Sequence, residues 1–159
     1  MRIDELMSQP VTTCGINDTL NAAAETMWSR DCGVIPVVND EGRLVGIVTD
    51  RDICMGAYTQ GLPLCAIPVA TVMTRQVHVC QAADLLETAE RLMAEKQVRR
   101  LPVVDDEERP IGLISLNDVT RGAARRKRET AQDRAIVNTL AAVCQPRAAE
   151  PVERMSAPG

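Results

Sequence analysis

Phenylalanine is absent from this sequence of 159 residues, and the aromatic share is only 1%, supplied by Trp28 and Tyr58. Any core must therefore be filled by aliphatic side chains, and no row of rings exists on which nucleic-acid bases could stack. Lysine is confined to Lys96 and Lys127, and no glycine-rich loop carries one, so the phosphate cradle of nucleotide hydrolases is missing. His78 is the sole histidine, which removes every chemistry that needs two. No apolar run approaches the roughly 20 residues of a membrane span. The opening stretch "MRIDELMSQP" lacks the apolar centre of a secretory signal. The net charge of −4 gives no general pull toward nucleic acid or anionic lipid.

Six cysteines are present, at 14, 32, 54, 65, 80 and 144, and none forms a C-x-x-C pair. Scattered among apolar runs, they read as reduced, buried thiols of a cytoplasmic protein rather than a disulfide framework. His78 and Cys80 share a strand face in "HVC", but no acid or second histidine orients them as a nucleophilic pair. Nothing has the spacing of a metal site, and the acidic run Asp105–Glu108 reads as a solvated turn. These absences argue against an enzyme.

What is present is written twice. Shifted by 66 positions, the two halves align without a gap: "LMSQPVTTC" (6–14) over "VMTRQVHVC" (72–80), and "IPVVNDEGRLVGIVTDRD" (35–52) over "LPVVDDEERPIGLISLND" (101–118). An ungapped internal match of this kind marks a duplicated structural unit. Each half predicts the order β-α-β-β-α. Asp18 and Asp84 read as helix N-caps, the second with Glu87 at capping-box distance. Leu20, Ala23, Ala24 and Met27 then share a helical face, as do Leu85, Ala89 and Leu92 in the second half. Short apolar strands follow across "NDEG" and "DDEERP", and a second helix begins near Asp50 and Asn117. The chain divides into repeats at 6–66 and 72–128, with residues 57–71 as linker. A C-terminal helix with Ile136, Leu140 and Val143 on one face, then a loose tail, fill 129–159.

Thr49-x-x-Asp52 and Ser115-x-x-Asp118 each stand where a strand gives way to a helix. As local structure this is a capping box, worth about 1 kcal/mol. Present twice under one symmetry, it also offers chemistry. A helix N-terminus attracts phosphate, and a carboxylate accepts both hydrogens of a ribose diol.

The doubled β-α-β-β-α pattern, the "IPVV"/"LPVV" strands and the G-h-h-(S/T)-x-x-D junctions, together covering about residues 6–128, resemble a cystathionine-β-synthase (CBS) domain pair, or Bateman module, of the stand-alone bacterial type. The resemblance implies an α/β fold of tandem repeats packed with pseudo-two-fold symmetry, with two clefts between them. It implies a regulatory sensor of AMP, ADP, ATP, S-adenosylmethionine or NAD(H), with no required cofactor, acting as a homodimer on a separate effector protein. Carried onto this chain, Asp52 and Asp118 hold ribose, while Thr49, Ser115, Arg51 and Asn117 stand near ribose or phosphate. Val34, Ile35 and Pro36, and Arg100, Leu101 and Pro102, flank the base together with Thr13, His78 and Val79. Arg51 is matched by Asn117, and Arg99 and Arg100 by Gly33 and Val34, so the two clefts are expected to differ in phosphate preference. A rival reading makes the junctions plain caps of a ligand-free dimerisation module. Another assigns nucleic acid to the basic run 121–128 ("RGAARRKR"), which a helix C-terminus explains as well.

Overall fold

The chain is described by a computed structural model that covers residues 1–124 and 131–143. Its elements run β1 (Cys14–Gly15), α1 (Leu20–Ser29), β2 (Val34–Val38), β3 (Leu44–Thr49), α2 (Asp50–Gln60), β4 (Cys80–Gln81), α3 (Leu86–Lys96), β5 (Arg100–Val104), β6 (Pro110–Ser115), α4 (Leu116–Ala124) and α5 (Ala131–Val143). The expected β-α-β-β-α order holds in both halves. Each half makes a three-stranded sheet, β1-β2-β3 and β4-β5-β6, in which the first pair is parallel and the second antiparallel.

Strand alternation sorts the side chains. Ile35, Val37 and Val48 of one sheet, and Leu101, Val103 and Ile114 of the other, are fully buried in two separate aliphatic clusters. The intervening residues therefore turn to the opposite face. Helix α1 adds Leu20, Ala23 and Met27 to the first cluster, and α3 adds Leu86, Ala89 and Met93 to the second.

The two repeats exchange their leading segments. A 3-10 turn at Ile3–Glu5 places Ile3 in the second repeat's core, while the matching turn at Val69–Thr71 places Val69 in the first repeat's core. Ser8 pairs with Leu113 through bonds of 2.9 and 3.1 Å, and Thr74 with Ile47 through two of 2.9 Å. Glycine makes the crossing feasible. A side-chain carbon at Gly46 would lie 2.6 Å from Met73 Sδ, and one at Gly112 2.5 Å from Met7 Sδ. Each glycine lets the strap from the other half pass directly over its strand.

One local expectation is corrected. The N-cap of α1 is Thr19, which accepts from Ala22 N–H, and that of α3 is Leu85, without a side-chain cap. Asp18 and Asp84, one residue earlier, accept instead from Gly15 N–H at 2.7 Å and Gln81 N–H at 2.8 Å. These carboxylates close the turn after the short strand rather than the helix. The stretch read as linker, 57–71, is built structure: the end of α2, then 3-10 turns at Leu64–Ala66 and Val69–Thr71, with Ile67 and Val69 at 0% exposure. Pro63 and Pro68 fix the backbone just ahead of each turn.

Helix α5 lies on α3 and α4, with Ile136 and Val143 in the second core. Residues 125–128 of the basic run, and the tail from 144, lie outside the described residues.

Candidate functional site

The two strand-to-helix junctions have nearly identical geometry. At the first, Asp52 Oδ2 accepts from Thr49 N–H at 2.9 Å and from Thr49 Oγ1 at 2.8 Å, and Asp52 N–H donates back to Thr49 Oγ1 at 3.2 Å. At the second, Asp118 Oδ2 accepts from Ser115 N–H at 2.9 Å and from the Ser115 hydroxyl, with Asp118 N–H returning to Ser115 Oγ at 3.2 Å. The capping reading is therefore correct for both. It consumes one carboxylate oxygen and leaves the other, Oδ1, for something else. At Asp118 that oxygen takes the Arg121 guanidinium.

A cavity of about 520 Å³ opens beside Asp118, within the 300–1,000 Å³ range of small-molecule sites. Its walls come from both repeats. Ser115, Asn117, Asp118, Thr120 and Arg121 line it from the second junction, and Arg100 and Leu113 from β5 and β6. Asp31, Cys32, Gly33 and Val34 enter from the first repeat, and Ser8 from the crossing strap. The pairing Arg100↔Ser115 and Pro102↔Leu113 explains the choice: these residues occupy the sheet face turned away from the core. Gly33 leaves room for the Asp50 carboxylate, whose Oδ2 would lie 2.9 Å from a side-chain carbon there.

The expected site residues separate accordingly. Val34, Arg100, Ser115, Asn117 and Asp118 come together around this cavity. Ile35 and Leu101 do not: both side chains have 0% exposure and fill the cores, which leaves only their backbone for the cleft side. A strand's period of two turns each of them away from its neighbours Val34 and Arg100. Pro36 and Pro102 are buried on the outward-turned face of their strands, and Thr49, Arg51 and Asp52 stand at the first junction. Thr13 is exposed at the lip of β1, and His78 is half-buried. Val79 lines a different cavity of about 530 Å³, with Val77, Leu44 and the acidic turn Asp105–Glu108.

Sequence reasoning missed Ser8, Asp31, Cys32, Leu113 and Thr120 at the Asp118 cavity, and saw Arg121 only as part of a basic run. The pairing of Ser8 with Thr74 under the 66-residue shift was a usable signal, because a hydroxyl recurs there. Nothing local marked the others, which arrive from distant segments.

The thiols of the short strands are chemically quiet. Burial first, and the Asp18 carboxylate second, push Cys14 up to about 11, and burial with Asp84 pushes Cys80 to about 12. Thiolate chemistry at either is suppressed at neutral pH. Among the described residues no group of three His, Cys, Asp or Glu side chains could hold a metal ion, and no helix is long and apolar enough to cross a membrane.

Two sheets built on one doubled plan, exchanging their leading straps and walling a shared cleft, define a paired-repeat α/β fold. Residues 3–56 and 69–125 each match the CBS domain, and the chain belongs to that family. Hypoxic response protein 1 of Mycobacterium tuberculosis is 31% identical over 144 residues, which span 91% of this chain and 94% of the relative. The CBS domain pair of protein MJ0100, solved with 5′-methylthioadenosine and S-adenosyl-L-methionine, is similar at a TM-score of 0.70 and 26% identity, covering 78% of this chain and 96% of that one. Hypoxic Response Protein I, solved with two coordinated zinc ions, has a TM-score of 0.69 and 30% identity, over 76% of this chain and 98% of its own.

Proposed function

We propose that this chain is a regulatory sensor rather than a catalyst. It binds an adenine nucleotide or adenosyl ligand between its repeats and passes the occupancy on as a changed arrangement of repeats or subunits. The observation that supports this reading best is the Asp118 cavity. It combines the Asp118 carboxylate, the positive end of α4, a hydroxyl and two arginines, with Gly33–Val34 of the other repeat as the opposite wall. Because ligand contacts come from both halves, binding favours whichever relative placement closes the cleft. The adenosyl compounds in the MJ0100 pair indicate the ligand class to try first.

The reading extends to a cytoplasmic homodimer that acts on a separate effector protein. Leu20, Ala23 and Met27 of α1 are spent in the first core and offer nothing to a second copy. Helix α1 carries Trp28 at 90% exposure and helix α2 carries Tyr58 at 81%, and we assign these exposed rings to a second copy.

Thermal melting with AMP, ADP, ATP, S-adenosylmethionine and NADH tests the sensor. A ligand at a hundred times its Kd adds about 2.7 kcal/mol, which raises the melting temperature of a domain this size by about 5–10 °C. Asp118→Ala should erase the part of that rise due to its own cavity. If none of the ligands moves the transition, the junctions are caps of a scaffold and the sensor reading is wrong.

A further inference from the structure

Arg121 is the first residue of the basic run, and it lines the cavity. We infer that Arg121 sets the charge class of the ligand at Asp118, so that this cavity takes nucleoside 5′-phosphates in preference to nucleosides with a neutral 5′ group. The inference rests on the sensor reading above.

Both oxygens of Asp118 already have partners. Oδ2 is held by the Ser115 amide at 2.9 Å and by the Ser115 hydroxyl, bonds that also cap α4. Oδ1 is held by Arg121. Oδ1 keeps one further acceptor site, so a ribose diol that places both hydrogens on this carboxylate displaces the guanidinium. The Arg121 side chain is 68% exposed and can swing into water, while the carboxylate of Asp118, 4% exposed, regains partners from the diol. The displaced cation stays tethered to α4 at the cavity wall, with Arg100 contributing a second charge from β5.

A nucleoside 5′-phosphate supplies both replacements at once, a diol for the carboxylate and an anion for the freed arginine, whose planar fork suits phosphate oxygens. A neutral 5′ group, as in 5′-methylthioadenosine, takes the carboxylate and leaves the arginine unpaired. Asp31 also lines the cavity, so the selection follows from where Arg121 sits and not from net charge. The duplication supplies an internal comparison. The position matching Arg121 is Met55, which cannot pair, while Asp52 keeps the same Oδ2 bonds to Thr49.

Calorimetric titration of the full chain with AMP and with 5′-methylthioadenosine tests this. Wild type should bind AMP more tightly, with a preference that shrinks as salt rises. Arg121→Met, copying the first repeat, should weaken AMP by about 10- to 100-fold and change 5′-methylthioadenosine by less than about twofold. Arg121→Lys should fall between, since it keeps the charge without the fork. Equal melting temperatures of the ligand-free proteins would show that α4 is intact. If Arg121→Met weakened both ligands alike, the arginine would only position Asp118, and the inference would be overturned. An unchanged AMP affinity would overturn it too, while leaving the sensor reading in place. Wild type that bound neither compound would end both.

Discussion

At the scale of single residues, one carboxylate serves two purposes, and its two oxygens divide them. Asp52 and Asp118 each spend Oδ2 on closing the first turn of a helix. Thr49→Ala and Ser115→Ala should therefore each destabilise the fold by about 1 kcal/mol, the ordinary cost of a lost cap, as read from urea midpoints at constant m-value. The cysteines divide by burial. Cys14 and Cys80 are 6% and 4% exposed with raised thiol values, whereas Cys54 and Cys65 are exposed. Iodoacetamide at pH 8 followed by peptide mass spectrometry should label Cys54 and Cys65 first, leaving Cys14 and Cys80 for the unfolded chain. Linkage gives a second consequence. The folded state holds these two protons above the ordinary thiol value of 9.0. The stability they contribute is whole below pH 9 and is lost as pH rises toward about 11 and about 12.

At the scale of elements, alternation along β2, β3, β5 and β6 decides both core and cleft. The residues that fill the cores, such as Ile35 and Leu101, sit one position from those that turn to the cleft, such as Val34 and Arg100. A one-residue error in reading the strand therefore moves a candidate from site to core. The exchanged 3-10 turns carry a clear test. Ile3 lies first in the chain but at 0% exposure in the second repeat's core. Ile3→Ala should cost about 2–5 kcal/mol, and in native-state hydrogen exchange its effect should fall on β5 and β6 before β2 and β3. Overpacking at the crossing should act similarly. Gly112→Val drives side-chain carbons into Met7 and the Ser8 backbone, so about 1–3 kcal/mol should be lost. Uniform loss of protection in both sheets after Ile3→Ala would contradict the exchange.

At the scale of the whole molecule, helix α5 breaks the symmetry of the duplication. Helix α5 covers α3, so Glu90 is 3% exposed and Ala94 half-buried. Their counterparts on α1 are the half-buried Ala24 and the 90%-exposed Trp28. The face that the chain covers for itself in one repeat is left open in the other, and it holds the sequence's sole tryptophan. If a second copy covers it, sedimentation should give twice the 17.3 kDa of the chain. Trp28 emission should then lie to the blue of the water-exposed value, and Trp28→Glu should return the monomer. A wild-type monomer with water-like Trp28 emission would remove the dimer from the proposal.

The sequence by itself determined the repeat, the order of elements and the paired Ser/Thr-x-x-Asp junctions. These rest on local chemistry, caps and periodicities that are written within a few residues of where they act. The cap positions at Thr19 and Leu85 were misplaced by one residue, because an aspartate that closes a turn and one that caps a helix look alike in a linear string. Only the tertiary structure decided that residues 1–8 complete the second repeat, that Asp31 through Val34 face Asp118, and that Arg121 occupies the oxygen a ribose would use. Those are contacts between distant segments, fixed by how two sheets pack and cross, and no neighbouring residue records them.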